Sequence, residues 1–287
     1  MESPLLVVDA PSVMYRAFFA LPKSIKGADG QPVNALLGSA NLILREVELY
    51  KPRAVVLCWG PDAAAYRVEL YQPYHAQRPP VPDELSPQWE DAPTLFDAFG
   101  WTSVISDDLE ADDVMGSLAR VEEAAGGEAL ILTGDRDMYQ CVTDNVRVLY
   151  LKTGSKGAEL VDAAEVKRRY GVPPELVPDF IALRGDPSDG LPGAKGIGEK
   201  TAADLLQRRG SLEAVIDGAL RERPARVSGV LTGSADELRM FKEIATLRTI
   251  KVKRPKDRAT DYKRAAKAAS ARGINRLASR LDGMAVG

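Results

Sequence analysis

Five short apolar runs constrain this chain more than any other feature: LLVV (5–8), AVVLC (54–58), TSVI (102–105), ALIL (129–132) and VRVLYL (146–151). Each has strand length and is rich in Val, Leu and Ile. Amphipathic stretches at about 34–50, 86–99 and 111–125 lie between them. Strand, helix, strand repeated in this way predicts an α/β body, a parallel sheet with helices on both faces. After residue 160 the strands stop. Segments 160–171, 173–185, 199–210 and 211–220 read as short helices, and Gly171, Gly185 and Gly210 fit their stops. The chain divides into an α/β core over 1–160 and a helical portion over 161–287.

With 45% hydrophobic and 28% charged residues, the 287-residue chain has a globular composition, which argues against disorder, collagen and coiled coil. No apolar run approaches the ~18–20 residues of a membrane span. Glu2 and the brief run after it do not read as a signal peptide. Cys58 and Cys141 lie far apart, so neither a zinc site nor a disulfide scaffold is expected, and a reducing cytoplasm is the expected setting. The net charge of −3 hides an asymmetry. Residues 251–287 carry eleven Lys or Arg against three Asp, a net +8 that leaves −11 for residues 1–250. The tail reads either as a footprint for a polyanion or as a solvated surface helix.

The acids of the body are not scattered. Ligands of parallel sheets bind outside the carboxyl ends of the strands. There, run 5–8 is followed by Asp9, and run 102–105 by Asp107, Asp108, Glu110, Asp112 and Asp113. Run 129–132 leads to Asp135 and Asp137, and run 54–58 to Gly60 and Asp62. Any one of these could cap the next helix. As a set they would repel one another and raise each other's pKa unless cations compensate. Hard oxygen donors in such numbers suit Mg²⁺ or Mn²⁺, and a pair of such ions roughly 3.5–4 Å apart serves in-line phosphodiester cleavage. Segment 71–90 holds five prolines and no clear period, and a connection this long is more often functional than idle.

Residues 184–201, RGDPSDGLPGAKGIGEKT, add two acids and five glycines before a helix start, an arrangement suited to phosphate. The stretch is not a P-loop, because Glu199 separates Gly198 from Lys200. Nor does Asp9-Ala10-Pro11 supply the DxDx[TV] that a phosphatase of the HAD type needs.

Four motifs carry a resemblance that spans about 5–275: Asp9-Ala-Pro-Ser12 with Tyr15-Arg16, Leu109-Glu-Ala-Asp-Asp113, Thr133-Gly-Asp-Arg-Asp-Met138, and Gly185-Asp186 through Lys200-Thr201. In this order and spacing they resemble the bacterial 5′ nuclease family, the stand-alone flap endonucleases and the 5′→3′ exonuclease domain of DNA polymerase I. The resemblance implies a PIN-like 5′ nuclease fold, with an arch at about 71–95 and a DNA-binding helix-hairpin at 183–207. It implies metal-dependent hydrolysis of DNA in replication and repair. Asp9, Glu110, Asp112 and Asp135 would build or border one metal site, and Asp113, Asp137, Asp186 and Asp189 a second. Arg16 and Arg78 would contact phosphates at the scissile bond, Tyr74 would stack on a base, and Lys195 and Lys200 would face the duplex. Carbonyls near Leu183, Arg184, Pro192, Ala194 and Ile197 would hold K⁺. The implied partner is branched DNA with a single-stranded 5′ end, bound by a monomer in the nucleoid and linked functionally to a DNA polymerase and a ligase.

Two departures stand out. The family has an Asp where this chain has Gly60, seven residues before Arg67, with Asp62 near but out of register. It has a gateway Lys where this chain has His75, its sole histidine. His75 is therefore a candidate catalytic residue. The missing acid keeps an alternative open: a catalytically weakened DNA-binding member of the fold without a complete first metal site. An RNA-cutting relative is the other rival, against which the hairpin motif speaks.

Overall fold

The computed structural model describes residues 3–152 and 157–285. The strands β1 (Leu5–Asp9), β2 (Ala54–Trp59), β3 (Thr102–Ile105), β4 (Ala129–Thr133), β5 (Val146–Leu151) and β6 (Ala158–Val161) form one sheet in the order β3-β2-β1-β4-β5-β6. The first five are parallel, and β6 runs antiparallel to β5. The five expected strands are present. β6 was not expected, and it carries the sheet past residue 160.

Both faces of the sheet are covered, which is why its inner strands are continuous apolar runs. Leu5 and Val7 of β1 point into one core, Leu6 and Val8 into the other. On the second face lie α1 (Ala10–Ala20), α2 (Asn34–Tyr50) and α4 (Ser86–Ala98). On the first lie α5 (Ala111–Ala124) and a helical portion made of α6 (Ala163–Tyr170), α7 (Val177–Arg184), α8 (Glu199–Arg209), α9 (Leu212–Asp217), α10 (Ala225–Gly233) and α11 (Ala235–Ala245). The short α3 (Ala65–Leu70) joins β2 to the segment before α4. Local chemistry fixes the ends. Asp162 caps α6 through the Glu165 amide at 2.8 Å, and Gly171 closes that helix in the left-handed region at φ 73°.

The tail is not a free basic arm. Residues 248–258 descend along α5: the Arg248 amide donates to Asp113, the Ile250 amide to Ser117, and the Arg254 guanidinium to Glu122. The strap ends at Arg53, which precedes β2, so it reaches the sheet edge opposite the strand carboxyl ends. Then α12 (Tyr262–Ala271) and α13 (Asn275–Met284) return to the second sheet face, where Ala265, Ala269, Leu277 and Leu281 are buried. The expectation of a polyanion footprint is corrected for five tail cations. Arg254, Arg258, Arg264, Arg272 and Arg280 pair with Glu122, Asp97, Asp97, Asp91 and Glu48 of the body. Residues 262–284 likewise pack as part of the α/β body, not of the helical portion expected from 161 onward.

Candidate active site

The strand order reverses direction of growth beside β1, and such a switch point opens a crevice at the carboxyl ends of the strands. There a cleft of about 820 Å³ is lined by Asp9, Asp62, Glu110, Asp112, Asp135, Asp137, Asp186 and Asp189. Asp9 ends β1 and caps α1, accepting from the Ser12 amide at 3.0 Å and from the Thr133 hydroxyl at 2.6 Å. Asp135 and Asp137 follow β4, and Asp135 accepts the Asp137 amide at 2.8 Å. Gly134 lets Arg16 and Ser12 close on the β4 turn, because a Cβ there would lie 2.6 Å from the Arg16 guanidinium and 2.8 Å from Ser12 Oγ, which would have to shift. Asp112 stands in the first turn of α5.

These carboxyls oppose one another. Burial raises the pKa of Asp135 to about 7, and Asp189, Asp9 and Asp186 add to the rise. Asp112 and Asp137 are pushed well above the carboxylate range by burial first and by Asp135 next. Burial also raises Asp9 against its hydrogen bonds. Between about pH 7 and the ordinary value of 3.8, folded Asp135 holds a proton that the unfolded chain has released. Stability is therefore gained as pH falls through that window. Glu122, which is held low by Arg53 and Arg254 against its burial, gives up its share only below its ordinary 4.5. Thermal melts of chelator-treated protein should accordingly rise from pH 7.5 to pH 5, and a flat or falling profile would contradict this cluster.

Asp186 and Asp189 come from the turn after α7. Asp186 accepts from Arg184 at 2.9 Å and from the Ser188 amide at 2.9 Å. Asp189 accepts from Arg78 at 3.2 Å and faces His75 Nε2 at 3.1 Å. The two turns interlock: the His75 amide donates to the Asp189 carbonyl at 3.2 Å, and Gly190, at φ 77°, leaves room for the Pro73 carbonyl.

Not every expected residue reaches the cleft. Asp113 is fully buried (0% exposed) on the other side of α5, gripped by Arg67 at 2.9 and 3.0 Å and by the Arg248 amide at 2.7 Å. As a metal ligand it is corrected, because adjacent helix positions diverge by about 100°. Tyr74, expected to stack on a base, is 5% exposed, with its ring on His75 and its hydroxyl donated to Glu110. The other aromatics of 71–90 also pack on the body, Tyr71 on Phe241 and Trp89 on Tyr15 and Trp59. Phe19, unremarked in the sequence, is the aromatic left open, 73% exposed and stacked on Tyr15. At Gly60 a Cβ would lie 2.3 Å from the Leu109 carbonyl, so the missing acid has no space there, and Asp62 instead pairs with Arg78 at 3.1 Å. Arg16 lies against Gly134 with its Nε buried and without a partner. Lys195 is exposed in the turn between α7 and α8, and Lys200 is exposed in the first turn of α8. In the same turn the Leu183 and Ala194 carbonyls, expected to face K⁺, each accept an amide at 2.9 Å, from Ala194 and Ile197.

Among the described residues, no three metal-ligating side chains converge tightly enough to hold an ion as they stand. The donor set nonetheless fits divalent cations. It is made of hard oxygens, it is self-repelling, and its members share one cleft. Asp9, Asp112, Asp135, Asp137, Asp186 and Asp189 would be the holders, bordered by Glu110 at the N-cap of α5. No described helix is long and apolar enough to cross a membrane.

Residues 4–171 match the family model of the 5'-3' exonuclease N-terminal, resolvase-like domain, and residues 172–266 that of the 5'-3' exonuclease C-terminal SAM fold. A 5'-3' exonuclease of Mycobacterium tuberculosis is 36% identical, over 98% of both chains. The thermostable DNA polymerase I of Thermus thermophilus is 39% identical over 85% of this chain and 29% of its own length. In structure, the chain resembles the T5 D15 flap endonuclease in a complex with DNA and metal ions, with a TM-score of 0.70, 17% identity, and coverage of 99% of this chain and 100% of that one. Strand order, acidic crevice and both family models agree that the chain belongs to the 5'-3' exonuclease family, whose members are metal-dependent nucleases.

Proposed function

We propose that the chain cleaves DNA at the base of single-stranded 5′ ends, as a structure-specific 5′ flap endonuclease and 5′→3′ exonuclease. The observation that carries this reading is the convergence of six mutually repelling carboxyls from β1, β4, α5 and the turn after α7 on one cleft. Mg²⁺ or Mn²⁺ suits those donors. The ions, when bound, supply the positive charge that draws in a phosphodiester and makes water a better nucleophile. The chain's own cations do the rest. Arg16 offers an unpaired buried Nε beside Gly134. Arg78 and His75 sit across Asp189, where a phosphate entering the cleft meets them. Segment 71–95 would serve as the arch and Phe19 as an exposed stacking surface, while the hairpin 183–207, with K⁺ at its carbonyls, would hold the duplex. Recognition then follows junction shape, because phosphate contacts carry no sequence. The chain would act as a monomer, in association with a DNA polymerase and a ligase. A 5′-labelled flap incubated with Mg²⁺, with Mn²⁺ or with chelator tests the reading: a flap-length product should require metal, and cutting in chelator would refute it.

A second reading is favoured by Gly60, which leaves no room for an acid. In that reading the chain binds flaps and cuts them poorly, and tight flap binding without product in Mn²⁺ would select it. Either way the hairpin should dominate salt dependence. Replacing Lys195 and Lys200 by Ala should flatten the slope of log affinity against log salt by about 0.9 for each phosphate no longer neutralised. Replacing Lys251, Lys253 and Lys256, on the strap that leads away from the cleft, should leave it unchanged. Fluorescence anisotropy at several salt concentrations measures both.

A further inference from the structure

We propose that Arg136, seated on the Tyr150 ring, is a phosphate-binding residue of the cleft: it takes a phosphate of the strand to be cut, on the duplex side, between the acidic cluster and the hairpin. This rests on reading the cleft as the nuclease centre. It adds a cation to that reading, with Tyr150 as its positioning residue.

Three arginines line the cleft, and two of them are already paired. Arg78 meets Asp62 and Asp189 at 3.1 and 3.2 Å, and Arg184 meets Asp186 and Glu199 at 2.9 and 3.3 Å. Arg136 stands between Asp135 and Asp137 in the chain, yet among the described residues its guanidinium pairs with no acid. Its one hydrogen bond there runs from Nε to the Tyr150 hydroxyl at 3.3 Å. Of five N–H groups, the four on the two Nη atoms are left, and those are a pair that forks onto phosphate. The residue is exposed, so an incoming strand can reach it. In a cleft crowded with carboxyls, an arginine held clear of them all keeps its charge for an anion from outside.

The fold builds the seat. Thr133 and Tyr150 are register partners of β4 and β5, so the turn after β4 brings Arg136 over the Tyr150 ring, with Cζ 5.5 Å from its centroid. Such a contact orients a guanidinium without neutralising it. Tyr150 is braced in turn, edge-on to the buried Tyr139 at 5.9 Å and near the Arg169 guanidinium at 5.7 Å. Arg169 is itself tied to the Tyr139 hydroxyl and to Glu165, each at 2.6 Å. The position along the cleft follows from Tyr170. Its ring stacks on Phe180 of α7 at 4.8 Å and lies 5.8 Å from Arg184 Cζ, at the end of that helix. Burial first and Asp137 next raise the Tyr170 pKa, while Arg184 and Arg136 both lower it, so this one ring neighbours the cluster, Arg136 and the start of the hairpin. Arg136 therefore stands between the acids and residues 183–207, whereas Arg78 stands against Asp62. A strand with its scissile phosphate at the acids and its duplex on the hairpin passes Arg136 on the way.

The test compares wild type, Arg136→Gln, Arg136→Lys and Tyr150→Phe on a labelled 5′ flap, by fluorescence anisotropy in chelator at several salt concentrations and by single-turnover cleavage with Mg²⁺. A set of flaps carries one neutral methylphosphonate each, at successive linkages on the duplex side of the junction. Arg136→Gln should weaken binding about 10-fold, as for a lost hydrogen bond to a charged group, and flatten the slope of log affinity against log salt by about 0.9. Arg136→Lys should keep the slope and recover only part of the affinity, because an ammonium cannot fork. Tyr150→Phe should also keep the slope and weaken binding less than Arg136→Gln does. At one duplex-side linkage the methylphosphonate should weaken wild type as much as the Gln substitution does, and should leave Arg136→Gln unaffected. Equal losses in wild type and Arg136→Gln at every linkage would overturn the contact. A loss confined to flaps bearing a terminal 5′-phosphate would move Arg136 to the free end and overturn the duplex-side assignment. If wild type cuts the flap and Arg136→Gln binds and cuts it equally well, this inference fails alone. If wild type neither binds nor cuts it, the reading of the cleft fails, and this inference with it.

Discussion

Asp135→Asn should lower flap cleavage by about 10²–10³-fold, the scale on which a preorganised charge-stabilising group acts. Asp135 is the hub of the acidic cluster. It is the leading charge acting on both Asp112 and Asp137, and it is itself driven up by Asp189, Asp9 and Asp186. Amide replacement removes the carboxylate that reaches the most neighbours and leaves the β4 turn intact, because the amide oxygen can still accept from the Asp137 amide. Two measurements should move in opposite directions. Single-turnover cleavage with Mg²⁺ falls, while the melting temperature of the chelator-treated protein rises, since one repelling charge has gone. Cleavage within tenfold of wild type would remove Asp135 from the reaction.

The strands were legible because a parallel sheet buried on both faces demands unbroken apolar runs, and LLVV and ALIL supply them. The acidic edge was legible for the same reason: a residue that follows a parallel strand has one place to go. β6 was not legible, since Ala158–Val161 is a short edge strand with an exposed Glu and Leu in its middle. The tail misled through its charge. Its partners Glu48, Asp91, Asp97 and Glu122 lie far away in sequence, so a count of cations showed a footprint where the fold makes ion pairs. Tyr74 misled through its company, because a tyrosine among prolines beside a cleft reads as a stacking surface until the burial of its hydroxyl against Glu110 is known.

Asp112 and Asp113 bring out what sequence could not resolve, and they set the sharpest test of the site. They are neighbours of one chemical type, and one helical step separates a carboxyl that lines the cleft from one shut in the core. Asp113→Ala should destabilise the protein by about 3–5 kcal/mol, the usual result of removing one partner of a buried ion pair. It leaves Arg67 short of its bidentate acceptor and the Arg248 amide without the oxygen it reaches at 2.7 Å. The strap at 248–258 loses its first tie to α5 at the same time. Asp112→Asn should do the opposite: stability without metal holds or rises, because burial and three acids already disfavour its charge, while Mn²⁺ affinity and cleavage collapse. Denaturant titration and Mn²⁺ binding, run on both variants, separate the roles. If Asp113→Ala lost metal and kept its stability while Asp112→Asn did the reverse, α5 would have to be rotated relative to the cleft, and the separation of ligand from core acid would fail.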